Sequence, residues 1–400
     1  MIGRAFTRPG LALALAAFAL LAPSAASADS AKVSDLVDDL RRMQLRIAQG
    51  DKAAYAAELN QLKTIGAAIA TASPETWKDK READSLVIYI LSGGTLAAVE
   101  PLLRGDAVIE SERSLARGAL AYVTNHETEA AALLKETSLT ALDARLAGEV
   151  AFARSVVETK RNAKAAIELL DWARLLSPGG LVEEAALRRE IALLAEARDA
   201  GRAAMLIRQY VTRFGSSLYA AEFLRDLAGA VARLGLADDA ANYKLVSGAI
   251  AALPPDGRRD FLLNMARSAV VSAKFAAAAA AATEALESSR ADSPEAMRAR
   301  LYLATSRLFS DAYDAAIADL QSLSASQLDR ADLGILAAAR RVAAELRIAP
   351  DLSVFNTRNA AALPDPDKDK PAGPALTIAK AEEALQRTAG LAGLQNGGSR

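Results

Sequence analysis

The sequence predicts an all-α protein built as an array of helical hairpins, and three observations carry that expectation. Good helix formers dominate the 400 residues, which are 52% hydrophobic but only 5% aromatic and visibly rich in Ala, Leu, Glu and Arg. Apolar residues recur at helical spacing along most of the chain. From Ser114 onward an Ala-Ala pair, followed by Leu or Ile, returns at a nearly constant interval. A length of 400 residues suits two or three average domains, but a helical array can occupy it as one continuous unit.

The N-terminus is set aside before any fold argument. Arg4 and Arg8 form a positive region, Leu11 to Ala22 an apolar core, Pro23 breaks it, and Ala26-Ser27-Ala28 precedes Asp29 as a small-residue cleavage site. Residues 1–28 therefore read as a secretory signal peptide cut between Ala28 and Asp29. The alternative, an uncleaved anchor, asks a dozen apolar residues to do the work of about 20. No later stretch is long and apolar enough to span. Cleavage removes Arg4 and Arg8, which leaves 46 basic residues against 49 acidic ones, a formal charge of −3. That balance excludes broad electrostatic attraction to nucleic acid. Cysteine is absent, which excludes disulfides, thiolate nucleophiles and lipid attachment through an N-terminal Cys.

The mature chain opens with irregular helices. Residues 32 to 49 place Val33, Leu36, Val37, Leu40, Met43, Leu45 and Ile47 at mostly helical spacing, and Gly50 is the natural stop. A second helix follows with Tyr55, Leu59, Leu62, Ile65 and Ile69 on one stripe, ending before Ser73-Pro74. Helical texture returns after Trp77 with Leu86, Ile90 and Leu91. Gly93-Gly94 breaks it, and Pro101 reinforces the break.

The repeat then begins. Ala pairs stand at Ala130-Ala131, Ala165-Ala166, Ala203-Ala204, Ala240-Ala241 and Ala315-Ala316, with steps of 35, 38, 37 and 75, the last being two units. The missing unit falls in the run Ala276 to Ala282, without a fixed register. Each pair follows a polar turn: Asn125 to Glu127, Lys160 to Asn162, Asp199 to Gly201, Gly235 to Asp239, and Ser310 to Ala312. Each unit is thus a helix, a turn and a second helix, near the period of about 34 residues of tetratricopeptide repeats. Ala166, Leu170, Ala173 and Pro178 have the tetratricopeptide order of small, large, small and terminating proline. Tetratricopeptide-like repeats and irregular helical hairpins both accommodate the other units.

The domain layout expected is a helical-repeat region over 29–350, a linker over 351–374 and a tail over 375–400. Pro364 to Pro371 and Gly373-Pro374 are charged, Pro-rich and without apolar period, the composition of a disordered linker. Ala375 to Thr388 has room for one short helix, and Gly397-Gly398 marks a flexible end.

Catalytic chemistry finds little support. His126 is the only histidine, in a polar turn, and there is no H-E-x-x-H, C-x-x-C, G-x-S-x-G or phosphate-binding glycine loop. Asp365, Asp367 and Asp369 alternate as in a calcium loop, but Lys370 and Leu376 stand where Gly and Glu are required. Adjacent acids such as Glu183-Glu184 and Glu382-Glu383 point in different directions on a helix. No enzyme, cofactor or metal site is expected.

The central turn is the most informative stretch: Leu175-Leu-Ser-Pro-Gly-Gly-Leu-Val-Glu-Glu-Ala-Ala-Leu-Arg-Arg-Glu-Ile191. Pro178 disfavours helix at Ser177, and two glycines permit the turn. Glu183 and Glu184 then fall in the first turn of the next helix, where its dipole favours negative charge. Arg188 and Arg189 follow at pairing distance, Glu184 and Arg188 being i, i+4. These four charges read either as a solvated face with local pairing or as a partner-contact surface.

This stretch, Tyr89-Ile-Leu-Ser-Gly-Gly94 after Trp77 and Arg81, and Gln209-Tyr-Val-Thr-Arg-Phe214 before Tyr219 resemble the MotC family of periplasmic flagellar-motor proteins. The resemblance runs from about Leu36 to Pro350 and is strongest between Trp77 and Phe223. It implies a non-enzymatic periplasmic protein needed for flagellar rotation, which binds the periplasmic part of the stator subunit MotB and assists its folding, stability or placement. The family supplies no catalytic motif. The composition and repeats alone also fit a tetratricopeptide-like envelope scaffold that organises peptidoglycan enzymes.

Overall fold

The computed structural model describes residues 32–346, and among them every regular element is helical. The signal peptide with its Ala28/Asp29 cleavage site, the 351–374 linker and the 375–400 tail lie outside the described residues. The chain divides into two compact units, Met1–Ala337 and Ala338–Arg400. Apart from the last residues of one helix, Arg330–Leu346, all that follows concerns the first.

Four helices precede the repeats: α1 (Val33–Ala48), α2 (Lys52–Thr71), α3 (Lys80–Leu91) and α4 (Leu96–Arg104). Helix α1 buries Val33, Val37, Leu40 and Ile47 as its spacing predicts, whereas Leu45 stays 39% exposed. Asp51 caps α2 by accepting from the amides of Ala53 and Ala54, two of the donors that a helix start leaves unpaired. The stripe expected on α2 is corrected. Ile65 and Ile69 are buried, but Tyr55 and Leu59 face solvent, so the N-terminal half of the helix packs inward through Ala54 instead. Helix α3 is buried from Glu82 through Ile90 because α1, α2, α4 and α5 (Glu110–Val123) surround it. Trp77, wholly buried, sits in a short 3-10 turn just before it. Pro101 does not extend the break at Gly93-Gly94. It lies inside α4, which starts at Leu96 and tolerates the one lost backbone bond.

The repeats run through α5, α6 (Glu127–Glu136), α7 (Ala144–Glu158), α8 (Ala163–Leu176), α9 (Leu181–Glu196), α10 (Ala200–Phe214), α11 (Ala220–Leu234), α12 (Ala240–Ala249), α13 (Pro255–Val271), α14 (Phe275–Glu287), α15 (Pro294–Arg307) and α16 (Tyr313–Ser322). Helix α17 (Arg330–Leu346) follows. Successive helices pack as hairpins α5/α6, α7/α8, α9/α10, α13/α14 and α15/α16. In each, small residues of the second helix are buried: Ala130, Ala166, Ala203 with Ala204, Ala277 with Ala278, and Ala316. The Ala277-Ala278 pair supplies the register missing from the alanine run, 37 residues after Ala240 and 38 before Ala315.

One unit departs from the scheme. Helix α12 packs against α10, while α11 packs against α13 and α9. Ala240 and Ala241 are consequently exposed, and α12 buries only Val246 and Ala249 near its C-terminal end. The alanine pair is present in sequence without its packing role, because α12 meets α10 rather than α11 and buries its C-terminal end instead.

The turns of hairpins α5/α6, α9/α10 and α13/α14 and the turn between α11 and α12 share a device. Asn125, Arg198, Gly235 and Ala273 each adopt positive φ. The following amide reaches back five residues: His126 to the Ala121 carbonyl, Asp199 to Leu194, Leu236 to Val231 and Lys274 to Ala269, at 2.8–3.0 Å. This left-handed stop satisfies carbonyls that a helix end would otherwise leave open. Asp199 and Asp239 then accept amide hydrogens of Arg202 and Asn242 to begin the next helix.

Candidate functional site

The central turn positions α9. Gly179 takes φ +83°, a conformation glycine adopts without steric penalty, and the chain re-enters helix at Leu181. Glu183 and Glu184 stand in the first turn as expected. Their surroundings are not the expected ones. Helix α9 packs against α1, α7, α8, α10 and α11, and both glutamates are only 1% exposed.

Each buried carboxylate has protein partners. Glu183 accepts from the Gly179 amide, from Gln209 Nε2 at 3.1 Å and from Arg213 at 2.8 Å. Glu184 accepts from the Tyr210 hydroxyl at 2.9 Å, and burial raises its carboxyl above the ordinary range. Tyr210 in turn packs on Phe214 and Phe223. About two turns further on, Glu190 is fully buried, pairing with Arg174 Nε at 2.9 Å and with Arg202 at 2.7 Å. Arg202 also reaches Asp171 at 2.6 Å. The carboxylates of α9 thereby tie α8 and α10 to the central helix.

The solvated-face reading of Glu183, Glu184, Arg188 and Arg189 is therefore corrected for the two acids, which point inward because five helices leave α9 little open surface. The arginines remain half-buried. The Arg188 guanidinium lies 5.1 Å from the centroid of the Tyr219 ring, and Arg189 donates to Thr159 Oγ1 at 3.2 Å. Glu184 hydrogen-bonds Tyr210 of the next helix.

Two concave places flank α7. A groove of about 520 Å³ runs between α6, α7 and α8, lined by Leu134, Leu139, Arg154, Leu169 and the 43%-exposed Trp172. A smaller cavity of about 280 Å³ opens between α1, α7 and the central turn, lined by Asp38, Arg41, Leu45, Glu149, Ser177 and Val182 among others. Glu149 is 9% exposed and accepts no hydrogen bond among the described residues, and burial pushes its carboxyl up to about 7, opposed only by Arg41. Ser177 Oγ is buried without a partner. His126 Nδ1 lies 2.8 Å from Thr124 Oγ1 in an exposed turn. Among the described residues no three His, Asp or Glu could hold a metal ion, and no helix is long and apolar enough to cross a membrane.

Sequence reasoning singled out neither Glu149 nor the Asp171, Arg174, Glu190 and Arg202 network. A signal was available: Glu190 continues the apolar stripe of Ala186, Leu187, Ile191 and Leu194, and Glu149 stands within Leu146, Ala147, Val150 and Ala151. A carboxylate on a buried stripe needs a partner, and the partner lies on another helix.

The model of the MotC family, described as "Chemotaxis protein MotC", matches residues 3–395. The "Chemotaxis protein MotC" of Rhizobium meliloti (strain 1021) is 27% identical over 385 residues, covering 92% of this chain and 85% of that protein. Among solved structures, the crystal structure of the P58(IPK) TPR domain aligns with 80% of this chain and 100% of its own, at 17% identity and a TM-score of 0.25. With the family match running over nearly the whole sequence, the chain belongs to the MotC family.

Proposed function

We propose that this chain is a periplasmic, non-enzymatic protein required for flagellar rotation, which binds the periplasmic part of the stator subunit MotB and assists its folding, stability or placement. The observation that carries the reading is the family match over residues 3–395. The relative's name, a chemotaxis protein, supports the motility role. Stacked helical hairpins offer the extended surfaces on which protein partners are gripped, and the signal peptide read in residues 1–28 supports export. To assist the stator, the array must bind one of its conformations more tightly than another.

Of the four charged residues first expected at the contact, we assign the partner-facing role to Arg188 and Arg189. Glu183 and Glu184 hold α9 beneath them through the bonds to Gln209, Arg213 and Tyr210.

The deciding experiment is a pull-down from periplasmic extract with the chain from Asp29, with bound proteins identified by mass spectrometry, alongside deletion of the gene. Recovery of MotB and a strain that assembles flagella but does not swim are the expected results. Recovery of peptidoglycan enzymes with no motor component, or normal swimming of a strain carrying no second copy, overturns the reading.

A further inference from the structure

The cavity between α1, α7 and the central turn has an unusual inventory. Its buried wall carries the Glu149 carboxylate and Ser177 Oγ, neither with a hydrogen-bond partner among the described residues. A buried carboxylate left alone is among the costlier arrangements in a protein interior. The other charges at the cavity are accounted for, with one exception. Asp38 is held by Arg81 at 2.8 Å and by Arg145 of α7 at 3.1 Å, and Arg42 pairs with Asp39. Arg41, half-buried on α1, makes no ion pair or hydrogen bond among the described residues. One buried anion and one more accessible cation thus face the same space. The remaining wall is mostly apolar, from Leu45, Pro178, Leu181 and Val182, with Gln44 beside them. At about 280 Å³ the cavity lies at the small end of ligand pockets, which start near 300 Å³.

We propose that this cavity binds a small aliphatic α-amino acid as its zwitterion, the ammonium inward on Glu149, the carboxylate outward on Arg41. The geometry supplies a matched partner for each end and an apolar wall for the side chain. An ammonium donates to the Glu149 carboxylate, which has no donor of its own among the described residues. The planar guanidinium of Arg41 is suited to a carboxylate. A simple amine would satisfy only the inner half and a simple carboxylate only the outer half, so neither matches the site as a zwitterion does. Binding requires the ionised form of Glu149, so it tightens as pH rises through neutrality, with Arg41 the cation that acts on the carboxylate and Asp38 and Arg42 the other charged groups lining the cavity.

Titration calorimetry of the full chain with leucine, valine and alanine, and with propylamine and propionate as half-ligands, tests the assignment. The expected result is saturable binding of the amino acids at pH 8, weaker at pH 6, with each half-ligand at least about tenfold weaker, as loss of one charged partner implies. Glu149→Gln and Arg41→Ala each lower amino-acid affinity by at least about tenfold, and Arg41→Ala leaves propylamine binding unchanged. Leu45→Trp alters an exposed side chain and fills the mouth. It abolishes binding even where Glu149→Gln fails to fold, as circular dichroism would report. Absence of saturable binding at millimolar amino acid, or equal affinity in the folded Leu45→Trp chain, overturns the proposal.

Discussion

The hydroxyl of Tyr210 donates to the buried carboxylate of Glu184 at 2.9 Å, joining α10 to the first turn of α9. Both groups are screened from water: Tyr210 is fully buried and Glu184 is 1% exposed. The hydroxyl is the partner that keeps a desolvated carboxylate tolerable as an anion. Tyr210→Phe leaves Glu184 short of that bond and is expected to cost roughly 1 to 3 kcal/mol in urea unfolding. The loss carries a pH signature. Burial already raises the Glu184 carboxyl, and removing the donor raises it further. The variant's deficit should therefore be larger at pH 8 than at pH 5, and a deficit independent of pH would point to packing alone.

Glu149 makes the complementary case, a buried carboxylate with no donor at all. Its folded value of about 7 stands above the ordinary 4.5. A carboxyl raised in the folded state contributes stability below its unfolded value and loses it as pH climbs through the folded one. Between pH 4.5 and 7 the wild-type chain should thus lose roughly 3 kcal/mol through this one group. Glu149→Gln mimics the protonated form and should erase that slope. Unfolding curves of the two chains at pH 5 and pH 8 are expected to differ in their separation by about that amount, the variant being relatively more stable at the higher pH.

The turn device gives a prediction of opposite sign. Ala273 holds φ +57° between α13 and α14, a region that costs a side chain about 1 to 2 kcal/mol. Ala273→Gly relieves that strain, partly offset by the greater freedom of glycine in the unfolded chain. A gain of about 0.5 to 1 kcal/mol, visible as a raised Tm, is expected. Asn125→Gly at the equivalent turn should gain less, since asparagine tolerates this conformation better than alanine does.

These turns also show why part of the fold could be read from the sequence and part could not. The period, the helical hairpins and the turn positions follow from the alanine pairs and the polar stretches, because close helix contacts require small residues wherever they recur. The left-handed stops at Arg198 and Ala273 carry neither glycine nor asparagine, so nothing local announces them. Ala240-Ala241 has the sequence of a contact but not the contact, since which helix α12 meets is decided by α10 rather than by its own pattern. The charges of α9 fail as a local reading for the same reason. Spacing says which residues share a turn, but five surrounding helices decide that Glu183 and Glu184 lie inside.

Charge at α9 has a direct bearing on how partner binding is to be mapped. Glu190 is fully buried between Arg174 and Arg202. Glu190→Ala leaves Arg174 and Arg202 with Asp171 as their shared anionic partner and is expected to cost roughly 1.5 to 3 kcal/mol in urea unfolding, the range for hydrogen bonds to charged groups. Charge reversal at Glu183 or Glu184 belongs to the same class, because the bonds from Arg213, Gln209 and Tyr210 would face a buried cation. Reduced partner capture by such variants would therefore report unfolding. Arg189→Glu loses only the bond to Thr159 from a half-buried site, and about 1 kcal/mol or less is expected. A chain carrying Arg189→Glu that melts like wild type yet no longer captures its partner would locate the contact on the arginine side of α9. Unchanged capture would move it to another face of the array.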